Sequence, residues 1–387
     1  MPWRKITGQT NQPDTTPPTV TVQKPTFLPT RSTPKLRSTW LGHACYYIEY
    51  PSGLRVLFDP VFEDCCAPIQ LKGLKRYTPP PCEIEDLPFV DVVVISHNHY
   101  DHLSYPTTQR IQKKFPEAHF FAPLGNKKWF ESSGVPSDKC TELDWWESRD
   151  ITLSVIKEAE KEGRVASMSV SSSFAEEEGG EKNSRSNITA TITALPAQHL
   201  SARGPFDKCK TLWASWAVRS TPSSTTSPAP PAAASNVYFA GDTGYRSVPA
   251  SIATAPDVDD YAPEHLHLPV CPAFSQIGTH HGPFDLGLIP IGAYAPREFF
   301  SNVHASPKDA VNILVDTKCR RALGMHWGTW VLTEEEVMEP PVKLREALRW
   351  KGVEEVGVFD VCDIGESREF DSGGIEEEGG GGLEVDE

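Results

Sequence analysis

Apolar residues along this chain fall into short runs separated by turn formers, not into long stretches. Ser38–Tyr50 and Leu54–Phe58 are rich in aromatic and β-branched residues and flank Pro51-Ser52-Gly53, so they read as two strands joined by a turn. Val90–Ser96 (VDVVVIS) is nearly continuous in apolar β-branched residues, the pattern of a strand covered on both faces. His119–Ala122, Ile188–Leu195, Trp213–Val218, Asn236–Ala240 and Leu286–Ile291 repeat that pattern. Tyr105–Phe115, Pro307–Asp316 and Pro341–Trp350 read as helices. Strands alternating with helices put the chain in the α/β class. No internal repeat is visible.

The polar stretches set the organisation. Residues 1–36 are rich in Pro, Thr and Ser without periodicity and are expected to be disordered. A single domain is expected over 37–365, interrupted by polar insertions near 157–187, 220–235 and 246–269. Residues 366–387 end in Gly and Glu and are expected to form a disordered acidic tail.

Composition narrows the function. The 387 residues carry a formal net charge of −15, which gains nothing from phosphate-backbone attraction, so nucleic acid is excluded as the expected partner. Local basic groups such as Lys72, Lys75 and Arg76 could still meet a lipid head group. Nine cysteines without a CxxC suggest free thiols in a reducing compartment. No secretory core follows Met1 and no apolar run is long enough to span a bilayer. The first 40 residues hold six basic residues and one acid, faintly like a transit peptide, but their prolines spoil an amphipathic helix. The expectation is an intracellular protein, soluble or peripherally membrane-associated, with no organelle assigned. A homodimer is compatible with this composition.

The densest chemistry is Ser96-His97-Asn98-His99-Tyr100-Asp101-His102, directly after a buried strand. His97 and His99, two apart in extended chain, share a face, and Asp101 and His102 turn toward a second position. Zinc takes such nitrogens and carboxylate oxygens at about 2.0–2.2 Å. Two zincs about 3.5–4 Å apart need six or seven ligands, often with a shared carboxylate. His199, Asp242 and His326 supply the remainder, each at the end of an apolar run, where open α/β folds place their sites. Alone, each of these three is more often structural; the cluster raises them together. A helix cap at Asp101 would explain one residue and leave the three histidines of the cluster unexplained. His304 lies in a loop that can reach the site. For His43, structural and supporting roles are equally open. His119 is expected to be structural, and His265, His267, His280 and His281 to lie on loops or the surface.

These residues carry a resemblance. The HxHxDH signature with a later His, Asp and His resembles the metallo-β-lactamase superfamily. The chain is similar, within it, to the N-acylphosphatidylethanolamine-hydrolysing phospholipase D group, through Thr39–His43 (TWLGH), Ile95–Leu103 (ISHNHYDHL), Glu142–Trp146 (ELDWW), Pro196–His199 (PAQH), Leu212–Trp216 (LWASW), Phe239–Tyr245 (FAGDTGY), Gly282–Tyr294 (GPFDLGLIPIGAY), His326–Thr329 (HWGT) and Glu339–Leu344 (EPPVKL). The resemblance covers roughly residues 37–360. It implies a four-layer αββα sandwich with a two-zinc site at one edge. It implies His97, His99 and His199 on one zinc, Asp101, His102 and His326 on the other, and Asp242 between them. It implies Tyr100 and His304 as substrate contacts. The reaction expected on that basis is phospholipase D-type hydrolysis of N-acylphosphatidylethanolamine to phosphatidate and an N-acylethanolamine, with Asp101 and His304 in catalytic roles. Phe27, Leu28, Phe299 and Phe300 are the candidates for contact with a bilayer surface. The alternative reading is a hydrolase of the same fold acting on a soluble ester, lactone or phosphoester. The insertion near 246–269 follows the Asp242 loop and could reshape the mouth of the site.

Overall fold

The computed structural model describes residues 11–68, 74–156, 165–172, 185–221, 234–253 and 259–372. Two sheets stack face to face. The first has seven strands in the order β15-β1-β2-β3-β4-β5-β6, where β1 is Leu36–Gly42, β2 Cys45–Glu49, β3 Arg55–Phe58, β4 Val92–Val94, β5 His119–Pro123, β6 Cys140–Leu143 and β15 Ser367–Phe370. The second has eight in the order β14-β13-β12-β11-β10-β9-β7-β8, where β7 is Ser148–Ile156, β8 Val165–Ser172, β9 Arg185–Leu195, β10 Ser215–Thr221, β11 Ser235–Phe239, β12 Leu286–Pro290, β13 Ala322–Met325 and β14 Phe359–Asp360. Both are mixed: β3 to β6 and β11 to β14 run parallel, and the remaining pairs are antiparallel.

Period-two alternation sorts the first sheet into two faces. Tyr46, Ile48, Val56, Phe58, Val92, Val94 and Phe121 pack inward against Trp216, Val218, Phe239 and Leu288 of the second sheet. Tyr47, Leu57, Val93 and Phe120 point the other way, into a separate cluster with Ile111 of α1 (Tyr105–Lys114) and Phe130 of α2 (Lys127–Ser132). On the far face of the second sheet lie α3 (Ala273–His280), α4 (Pro307–Asp316) and α5 (Glu339–Lys351), with Phe274, Val311, Leu314 and Leu348 in the main core. The result is the expected αββα layering. Helix starts follow from local chemistry: Ser104 Oγ accepts the Thr107 N–H ahead of α1, and Ser306 with Asp309 forms a capping box ahead of α4.

Three expectations change. Ser38–Tyr50 is not one strand but the hairpin β1–β2, because Gly42 (φ +99°) and His43 (φ +50°) turn left-handed between them. The described part of the N-terminal segment is ordered against the body: Val22 bridges Ile364, Phe27 packs edge-on to Tyr47, and the Arg31 guanidinium makes two bonds of 2.7 and 2.8 Å to the buried Asp91. Its prolines and threonines form no regular element of their own, yet they cover an existing surface. The C-terminal body also extends past residue 365, because Ser367–Phe370 supplies the edge strand β15 beside β1. Of the insertions, 165–172 forms β8, and Arg246 is buried within 246–269, donating to the Asp260 and His265 carbonyls. Residues 157–164, 173–184, 222–233 and 254–258, and the tail from 373, lie outside the described residues.

Asp91 is 1 % exposed at its side chain. Among the described residues, Arg31→Met leaves that carboxylate only the Arg55 N–H as a hydrogen-bond donor, and is expected to lower stability by about 3 kcal/mol, read as a shifted urea midpoint.

Candidate metal centre

Most of the site residues leave the ends of strands at one edge of the sandwich. Asp59 follows β3, the 97–102 loop follows β4, His199 follows β9, Asp242 follows β11 and His326 follows β13. His43 comes from the β1–β2 turn and His304 from the loop ahead of α4. Gly241 (φ +59°) lets the Asp242 loop close on the 97–102 loop, since a Cβ there would stand 2.6 Å from Ser96 Cβ. His326 is itself left-handed (φ +63°), and its N–H donates to the His43 carbonyl at 3.0 Å.

Seven of the sequence-predicted residues converge. His99 Nδ1 is 2.7 Å from His97 Nε2 and 3.3 Å from His199 Nε2. On the other side, His102 Nε2 and His326 Nε2 are 3.3 Å apart, with Asp101 Oδ2 at 3.4 and 3.6 Å from them. Asp242 stands between the groups: its Oδ2 is 3.2 Å from His102 Nε2, 3.7 Å from His199 Nε2 and 3.9 Å from His97 Nε2, and its Oδ1 is 3.0 Å from His326 Nε2. His304 Nδ1 lies 4.0 Å from Asp242 Oδ2, buried and without a hydrogen-bond partner among the described residues. Tyr100 is half-buried, and its ring packs under the Arg203 guanidinium at 4.0 Å.

The outer contacts fix which nitrogens face inward. His102 donates Nδ1–H to Asp59 Oδ2 at 2.7 Å, and His199 donates Nδ1–H to the Val303 carbonyl at 2.8 Å. Ser96 Oγ donates to Asp59 and lies 2.9 Å from His97 Nδ1, which therefore donates to it. In each case the remaining Nε2 lone pair points into the site. Several lone pairs and two carboxylates facing one another at 2.7–3.9 Å repel unless positive charge sits among them, so the donor set fits metal cations.

Electrostatics show the same demand. Burial, together with the neighbouring imidazoles, holds His97 well below the usual histidine range. Burial likewise holds His199 low and pushes His304 down to about 4. Burial also opposes protonation of His102 and His326, yet the Asp242 and Asp101 carboxylates outweigh it and raise both, His326 to about 9. The carboxylates thus draw protons to the side where cations would otherwise balance them.

Two functional contacts were not resolved by the sequence. Asp59, absent from the expected set, is fully buried and joins Ser96 and His102. Its position in Phe58-Asp59-Pro60, at a strand end like Asp242, was the available signal. His43, left open between two roles, sets its Nε2 3.0 Å from Asp101 Oδ2, and burial pushes its pKa down to about 3. His119, expected to be structural, is buried in β5, 2.8 Å from Thr141 Oγ1.

Residues 54–327 match the beta-lactamase superfamily domain family. The N-acyl-phosphatidylethanolamine-hydrolyzing phospholipase D 1 of Caenorhabditis elegans is 34% identical over 335 residues, covering 86% of this chain and 75% of that protein. The mitochondrial N-acyl-phosphatidylethanolamine-hydrolyzing phospholipase D of Saccharomyces cerevisiae is 31% identical over 316 residues, 81% of this chain but 52% of that protein. An uncharacterized protein of Mycobacterium tuberculosis is 32% identical over the same length, 64% of its own chain. Among solved structures, an isothiocyanate hydrolase from Delia radicum gut bacteria shares the fold with a TM-score of 0.50 at 13% identity, covering 87% of this chain and 99% of that one. The chain therefore belongs to the metallo-β-lactamase superfamily, in its group of N-acylphosphatidylethanolamine-hydrolysing phospholipases D.

Proposed function

We propose that this hydrolase is a zinc-dependent phosphodiesterase that cleaves N-acylphosphatidylethanolamine to phosphatidate and an N-acylethanolamine. The observation that carries the reading is the paired ligand geometry. Three imidazoles, His97, His99 and His199, and a second group of Asp101, His102 and His326 with His43 beside it, flank the Asp242 carboxylate. His97, His99 and His199 would hold one zinc, Asp101, His102 and His326 the other, and Asp242 both. Bound in such a pair, zinc supplies Lewis acidity and a water acidified toward neutral pH.

The protein's own residues would do the rest. His304 and Tyr100 border the site and would orient the head group, His304 through a ring nitrogen offered to a phosphoryl or departing oxygen. Asp101 would hold the proton of the attacking water. In the reaction, the water oxygen would bond to phosphorus, the bond to the ethanolamide oxygen would break, and the proton held at Asp101 would pass to that departing oxygen. Asp59 would act behind the ligands, since it fixes the tautomer of His102 directly and that of His97 through Ser96. Among the described residues no helix is long and apolar enough to cross a membrane, so work on a lipid would take place at a bilayer surface.

Elemental analysis of the purified chain is expected to find close to two zinc ions. Asp242→Asn should lose bound zinc and at least a hundredfold in turnover on N-acylphosphatidylethanolamine vesicles; survival of both would remove the bridging role. Asp59→Asn should weaken zinc uptake by roughly tenfold to a hundredfold, measured by competition with a chromophoric chelator. Chelation should abolish release of N-acylethanolamine, and added zinc should restore it; release unchanged in excess chelator would overturn the metal reading.

A further inference from the structure

Phe206 is 87% exposed, the most exposed large apolar side chain among the described residues. It is not on a loose strand. Its loop is braced internally: Cys209 N–H donates to the Ser201 carbonyl, Lys210 N–H to the Asp207 carbonyl, and Asp207 accepts the N–H groups of Arg203 and Gly204. The loop follows His199 directly and is tied to the candidate metal loop by Arg203, whose Nη1 donates to the Asn98 and Leu103 carbonyls at 2.8 Å. The same guanidinium lies over the rings of Tyr100 and Trp129. Phe206 thus stands in water at the tip of a loop held in place by its own hydrogen bonds, and it becomes informative through the basic groups around it.

A second loop continues the surface. Leu124 is 40% exposed, its carbonyl accepts the Leu212 N–H, and Gly125 sits against Thr211. Together, residues 124–130 and 201–212 hold five basic side chains (Lys127, Lys128, Arg203, Lys208 and Lys210) and one acid, Asp207, in a chain of net charge −15. Arg203 is engaged as described, but the four lysine ammonium groups make no ion pair among the described residues. The apolar tip, the basic flank and the attachment to the site all point one way.

We propose that this shoulder is the surface with which the protein lands on an anionic phospholipid interface. Phe206 and Leu124 enter the acyl boundary, and Lys127, Lys128, Lys208 and Lys210 meet the head groups. Arg203 then carries the landed loop to the mouth of the site, so docking and delivery of a head group happen on one edge. Of the candidates named from sequence, Phe27 is packed on Tyr47, Phe300 on His304 and Leu28 is half-buried, whereas Phe299 is 46% exposed and could add to the contact. The inference rests on the proposed lipid substrate, but its test is separate from activity.

The test is sedimentation of the full chain with vesicles of phosphatidylcholine, with and without phosphatidylserine. Wild type should bind the phosphatidylserine vesicles in a salt-dependent way. Phe206→Asp should weaken binding at least tenfold. Lys208→Ala/Lys210→Ala should weaken it roughly thirtyfold at low salt, about 1 kcal/mol per lysine, and flatten the salt dependence. Zinc content, melting temperature and hydrolysis of a short-chain diester below its aggregation concentration should stay at wild-type values in both variants. The proposal is overturned if wild type binds neither vesicle, if both variants bind like wild type, or if soluble activity falls in parallel with binding. Binding as expected without cleavage of N-acylphosphatidylethanolamine would sink the substrate reading and leave the docking surface standing.

Discussion

The structure depends on one buried carboxylate holding two candidate ligands in register. Asp59 accepts the Ser96 N–H and the His102 Nδ1–H at 2.7 Å each, and through Ser96 Oγ it also sets His97. Burial pushes the Asp59 carboxyl above its ordinary range, while the His102 and Ser96 hydrogen bonds pull it back. A charge kept in so dry a place is tolerable only with its bonds complete. The same bonds turn the Nε2 atoms of both imidazoles into the site. Site chemistry and local folding are therefore one network.

Around that network the architecture supplies precision rather than ligands. The parallel strands β3–β4 and β11–β12–β13 bring their carboxyl ends to one edge, so Asp59 and His97 arrive on adjacent strands of one sheet and Asp242 and His326 on either side of β12 in the other. Close approach then needs particular backbones. Gly241 admits Ser96, and the left-handed His326 is held by the His43 carbonyl. The β1–β2 turn thus touches both halves of the second ligand group, by its backbone at His326 and by its imidazole at Asp101. The basic, apolar shoulder grows from the same edge, since the loop after His199 carries Arg203 to the Asn98 and Leu103 carbonyls.

Much of this was legible beforehand. Val90–Ser96 reads as a buried strand because nothing polar but Asp91 interrupts it before Ser96, and four metal-capable side chains within six residues have few other uses. Less was legible where a residue's meaning depends on its partner. Asp59 looks like any aspartate before proline until Ser96 and His102 are placed against it. The hairpin inside Ser38–Tyr50 was hidden because Gly42 and His43 interrupt an otherwise strand-like run by only two residues. The Pro- and Thr-rich segment before it lacks periodicity, yet Arg31 finds Asp91 and Phe27 finds Tyr47.

The sequence by itself determined the α/β class and the candidate donors, since residue chemistry and apolar period are local properties written along the chain; the four-layer sandwich was implied by the family resemblance alone. Only the tertiary structure decided which nitrogens face inward, how close Asp242 stands to each group, and that Asp59 supports both. Those are distances between residues as far apart as His43 and His326, and strand order and sheet stacking, not spacing along the chain, set them.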